Sequence, residues 1–147
     1  MQSETQRQAD AAAKEREKMS QLFTQNGITN YLFTTERYAQ WDGLYVNSKD
    51  TSVCFEVKVR NFNHDKYYST MIEKSKFDYL TSTQQIGEPR LFVFFEDNTY
   101  FTTKLEKDNP DYFHSKEWLP RTTTGNSDKV LTDVVYIPVT KVLQING

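Results

Sequence analysis

The run Arg90–Phe95 (RLFVFF) constrains the fold more than any other feature of the chain. It is apolar after its first residue and does not alternate, the pattern of a β-strand covered on both faces. Glu96-Asp97-Asn98 supplies a turn, and Thr99–Leu105 follows as an antiparallel neighbour. Upstream, Gln40–Asn47 and Ser52–Arg60 read as two strands around the turn Ser48-Lys49-Asp50. In the second of these, Val53, Phe55, Val57 and Val59 face one side, and Cys54, Glu56, Lys58 and Arg60 face the other. Asp65 is placed to cap a helix running to Thr83, with Tyr68, Met71, Ile72, Ser75 and Tyr79 on one face; Gly87-Glu88-Pro89 ends that segment.

The first 27 residues read as an N-terminal helix. Residues 3–26 are rich in Ala, Gln and charge, Ser3 is an N-cap and Asn26-Gly27 a stop. Its apolar positions are mostly Ala until Met19, Leu22 and Phe23, so only the second half is suited to dock on a core. The first dozen residues are left to project, to bind a protein partner or to fray. Residues 28–147 then form one domain, without internal repeats. Residues 106–129 read as irregular. Val134–Val139 reads as a last strand that Pro138 places at an edge or a strand end.

A chain of 147 residues suits one core, and an aromatic content of 14% provides the apolar area for it. No apolar stretch approaches the roughly 18 residues that cross a bilayer, and MQSETQRQADAAAKEREK lacks the apolar core of an export signal. Cys54, the sole cysteine, excludes an intrachain disulfide and a thiolate metal cluster and fits a reducing, cytoplasmic setting. His64 and His114 are too few for a zinc site. There is no glycine-rich phosphate loop. A formal net charge of −2 argues against a globally basic nucleic-acid coat protein, while leaving room for an enzyme with a local basic strip.

The chemistry concentrates in residues 41–60. A hairpin centred on Lys49 pairs Val46 with Ser52 and Leu44 with Cys54, which sets Asp42 opposite Glu56 on one face, with Lys58 sharing that face. Two carboxylates so close repel each other unless a cation neutralises them. Hard oxygen ligands suit Mg²⁺, which takes one or two carboxylates and keeps several waters.

Asp42 followed by Glu56-Val57-Lys58 resembles the D…(D/E)-x-K signature of the PD-(D/E)xK nuclease superfamily. The resemblance spans residues 15–105, and the whole chain is similar to small nuclease-like proteins of bacterial viruses. It implies an α/β (α+β) fold, with a restriction-endonuclease-like core whose central mixed sheet is flanked by helices. It also implies that Asp42 and Glu56 hold Mg²⁺ or Mn²⁺ and that Lys58 assists the attacking water. Trp41 stands where the motif's Pro would be. Many members add an acidic residue upstream, for which Glu15, Glu17 and Glu36 are candidates, and a basic one on the helix after the motif. Lys76 suits that role better than Lys74, because it borders the core-facing stripe. Arg60, Lys66 and Lys74, with Lys58 and Lys76, form either a phosphate-tracking strip or ordinary solvated charge. Arg121 with Thr122–Thr124 is suited to bind an anion or to cap a loop. The function implied is Mg²⁺-dependent hydrolysis of DNA phosphodiesters by direct water attack, with Lys76 or Arg60 at the scissile phosphate, DNA as partner and a homodimer common among such enzymes. The alternative is a non-catalytic protein of the same fold, acting as a nucleic-acid-binding or viral assembly component. A third reading is an aromatic-lined ligand-binding β domain.

Overall fold

The computed structural model describes residues 4–34, 41–82, 87–120 and 128–145, excepting the side chains of residues 4, 5, 7 and 8. Ser3, Glu36, Thr83 and the Arg121–Thr124 segment lie outside the described residues.

The elements in chain order are α1 (Glu4–Gln25), β1 (Tyr31–Phe33), β2 (Gly43–Val46), β3 (Ser52–Val59), β4 (Ser69–Glu73), α2 (Lys74–Ser82), β5 (Glu88–Phe94), β6 (Thr99–Lys104), β7 (Phe113–Pro120), β8 (Lys129–Pro138) and β9 (Leu143–Gln144). Six strands form a mixed sheet in the order β1-β2-β3-β5-β6-β9, in which β3 and β5 run parallel and the other pairs antiparallel. The connection from β3 to β5 runs through β4 and α2, as a parallel pair requires. β4, β8 and β7 form a second, three-stranded sheet.

The two faces of β3 and β5 decide the layering. Val53, Phe55, Val57, Phe92 and Phe94 turn toward Met19, Leu22 and Phe23 of α1. Cys54, Leu91, Val93 and Phe95 turn the other way, toward Phe77 and Leu80 of α2, Ile72 of β4 and Val135 and Ile137 of β8. Alternation along β3 and the unbroken apolar run of β5 thus translate into α1 on one side of the sheet, and α2 with the small sheet on the other. Gly27, at φ 69°, ends α1, and the Ile28 amide donates to the Phe23 carbonyl at 2.8 Å. Among the described residues no helix is long and apolar enough to cross a membrane.

The helix expected from Asp65 to Thr83 is wrong in its first half. Ser69–Glu73 is a strand, with Thr70 and Ile72 buried and Ile72 opposite Val135 of β8. Tyr68 is almost fully exposed and Tyr79 is partly so, so neither belongs to a core stripe. Two β-branched residues beside a ready partner strand outweigh an apolar spacing that also fits a helix. The helix that does form, α2, is held to the core by Phe77 and Leu80, three apart, and not by the expected Ser75 and Tyr79, both of which are exposed. Residues 106–129, expected to be irregular, contain β7. The last predicted strand is longer, lies in the middle of its sheet rather than at an edge, and is followed by β9; Pro138 does stand at its end.

Candidate metal centre

The hairpin β2–β3 builds the site. Asn47 closes the turn: its Oδ1 accepts from the amides of Lys49 at 2.9 Å and Thr51 at 3.0 Å, and Asp50 adopts a left-handed φ of 59°. The register is the expected one, with Val46 opposite Ser52, Leu44 opposite Cys54 and Gly43 opposite Phe55. One step further the Asp42 amide donates to the Phe55 carbonyl at 2.8 Å, and the Val57 amide donates to Asp42 Oδ2 at 2.6 Å. These two bonds clamp the Asp42 carboxylate beside the backbone of Glu56.

Gly43 makes the clamp possible. A Cβ there would stand 2.3 Å from the Leu32 carbonyl oxygen and 2.5 Å from the tip of the Phe55 ring. Only glycine lets β1 and Phe55 close on the strand that carries Asp42.

Glu56 is the pivot. Its side chain is 2% exposed, and both Lys58 Nζ, at 3.5 Å, and Lys76 Nζ, at 3.2 Å, address the same oxygen, Oε1. Oε2 is buried without a hydrogen-bond partner among the described residues. An orphaned buried carboxylate oxygen is costly and calls for a cation or a bound polar group.

The electrostatics bring in a third acid. Burial pushes the Asp42 carboxyl up to about 8; the charges of Glu56 and Glu15 add to this, and the Val57 amide opposes it. Burial, then Glu56, raises Glu15 to about 7, while Lys58, Lys76 and Arg60 pull it back. Glu15 stands four residues before Met19 and eight before Phe23, so the helical period turns it to the docked face of α1. That spacing distinguishes it from Glu17, which is exposed. Burial works against the charge of Lys76, but Glu56, Glu73 and Asp42 prevail and hold its pKa above the usual range.

Among the described residues no three His, Cys, Asp or Glu side chains form a ready ligand sphere. The donor set nevertheless fits a hard divalent cation, which needs one or two carboxylates and keeps its waters. Asp42 is fixed through one oxygen, Glu56 offers an unpartnered one, and Glu15 is coupled to both.

No known family and no curated protein matches the chain by sequence. Among solved structures it is similar to Hjc, a Holliday junction resolvase from the archaeal hyperthermophile Archaeoglobus fulgidus. The TM-score is 0.54 at 13% identity, over 90% of this chain and 92% of that one. The likeness is one of fold: a mixed central sheet flanked by helices, consistent with a restriction-endonuclease-like core.

Within this fold, Asp42, Glu56, Lys58 and Lys76 come together, and Trp41 packs against the core formed with α2 and β8. Arg60 is tied inward: its guanidinium donates to the Met71 carbonyl at 3.1 Å, and burial lowers its pKa against the pull of Glu15. Lys66 and Lys74 are not drawn to the cluster. The Lys66 ammonium lies over the rings of Phe62 and Tyr67, 5.5 Å from each centroid, and Lys74 pairs with Asp78 at 3.0 Å. Cys54 is buried in the core. His64 bonds Asp97 in the turn after β5, and the His114 ring meets Phe77, so neither histidine joins the site.

Proposed function

We propose that the protein is a metal-dependent nuclease that hydrolyses DNA phosphodiester bonds at the Asp42–Glu56 site. The reading is carried by one observation: two lysines share Oε1 of a buried Glu56 whose Oε2 has no partner, beside a carboxylate clamped by the β3 backbone. Asp42 and Glu56 would hold Mg²⁺ or Mn²⁺, and Glu15 would add negative charge to the same centre. Such a cation supplies Lewis acidity at the phosphoryl oxygen and lowers the pKa of water. Lys58, 13% exposed and 3.5 Å from Glu56, would orient water there. Lys76, near the start of α2 and more accessible, would meet charge on the phosphate. Arg60 braces β3 against β4 and balances Glu15. The resolvase-like fold supports DNA as the substrate class.

Cleavage assays on plasmid and oligonucleotide DNA with Mg²⁺ test the reading. Asp42→Ala and Lys58→Ala are expected to lose activity by about 100-fold or more while keeping the wild-type circular dichroism. Undiminished cleavage in either folded variant refutes the assignment. A wild-type protein that binds DNA without cutting it replaces the reading with the non-catalytic one.

A further inference from the structure

Beyond β4 the small sheet narrows to two strands. β4 pairs with β8 from Val134 to Pro138, whereas β7 follows β8 as far as Pro120 opposite Lys129. The pairs from Lys116↔Asp133 to Pro120↔Lys129 form a two-stranded arm about 17 Å long, at roughly 3.3 Å per residue.

The arm has two unlike faces. Val135 and Ile137 enter the core against α2, so by alternation Asp133, Leu131 and Lys129, with Lys116, Trp118 and Pro120 opposite them, continue that inner face. It carries two cations against one anion. The outer face of the arm carries Glu117, whose carboxylate accepts from the Tyr136 hydroxyl at 2.8 Å. Trp118 and Leu131 stand directly opposite one another, 64% and 48% exposed. Lys116 and Asp133, paired at 2.7 Å, separate them from the root of the arm.

That root is linked to the proposed metal centre through the first turn of α2. Glu73, opposite Val134, is the residue before α2, and Lys76 near the start of α2 reaches Glu56. Asp133 lies close enough to Lys74 to feel its charge.

We infer that this inner face reads nucleic acid, with Trp118, backed by Leu131, stacking on an unpaired base near the scissile phosphate. The inference rests on the nuclease reading and narrows its substrate class to DNA with a single-stranded portion, such as a fork with a free arm. A duplex keeps its bases stacked on each other and offers Trp118 no ring, whereas every unpaired base has a face for it. Lys116 and Lys129 meet phosphates on the inner side, and Glu117 repels them on the outer.

The test uses the full chain in EDTA, so that cleavage is silent. The emission of Trp118 is the difference between wild type and Trp118→Phe, since Trp41 is the other tryptophan. Oligothymidylate and a fork with an oligothymidylate arm are expected to quench it, and a blunt duplex is not. Trp118→Ala should weaken binding of the first two about tenfold or more, leaving duplex binding and the urea midpoint unchanged. Absence of Trp118-specific quenching, or equal weakening on all three DNAs, overturns the inference. So does quenching that tracks protein self-association in sedimentation, which assigns the face to a second copy of the chain. Asp42→Asn is scored separately in Mg²⁺: continued cleavage by that variant sinks the nuclease reading itself, whereas failure at Trp118 alone sinks only the role of the arm.

Discussion

Replacing Asp42 with Asn should stabilise the metal-free protein, and only at high pH. An unfolded Asp ionises near 3.8, whereas Asp42 in the fold ionises at about 8, because burial and the charges of Glu56 and Glu15 oppose its ionisation. Between those two values the folded chain keeps a proton that the unfolded chain has lost. Its stability therefore falls as pH rises through that window and levels off above it. At about 1.4 kcal/mol per pH unit the gap sets an upper bound of roughly 6 kcal/mol. Part of that repulsion is shared with Glu15 and Glu56, which remain in the variant, so a gain of about 2–3 kcal/mol is expected. Asn keeps an oxygen for the Val57 amide, so the clamp survives. Urea melts in EDTA at about pH 4.5 and about pH 8.5 measure the effect. The variant should match wild type within about 1 kcal/mol at the lower pH and exceed it at the higher. A variant less stable at the higher pH, or a difference independent of pH, would refute the reasoning.

Gly43→Ala should cost about 2–3 kcal/mol in urea melts and depress cleavage, because its Cβ has a carbonyl oxygen and a ring atom in its place and the strand carrying Asp42 must shift. Wild-type stability in that variant would show that the strand has room to move. Lys76→Ala should lower the cleavage rate at least tenfold, whereas Lys74→Ala, losing an exposed helix pair worth about 0.3–0.5 kcal/mol, should leave it unchanged. Rate assays with equal effects from the two would contradict the separate placement of these lysines.

The hairpin was legible because its turn, its alternation and its register are local: Asn47 and Asp50 make the turn, and alternation fixes the faces. β5 was legible because burial on both faces leaves an unbroken apolar run. β4 was not, since five residues ending in Met71-Ile72-Glu73 fit either period, and the deciding partner, β8, lies more than sixty positions later. The arm of β7 and β8 was hidden for a different reason. Both of its faces meet solvent, so the sequence PDYFHSKEWLP shows no burial pattern to read. Glu15 stood among three acidic candidates, and its spacing from Met19 and Phe23 selects it once α1 is seen to dock along that stripe. The orphaned Oε2 of Glu56 had no sequence signal, because it follows from Lys58 and Lys76 converging on the opposite oxygen.

Calorimetric titration of Mn²⁺ into the 147-residue chain tests the central claim most directly. The account predicts saturable binding by wild type that disappears in both Asp42→Asn and Glu56→Gln while the two variants stay folded. Equal binding by wild type and variants, or no binding by wild type, would contradict it.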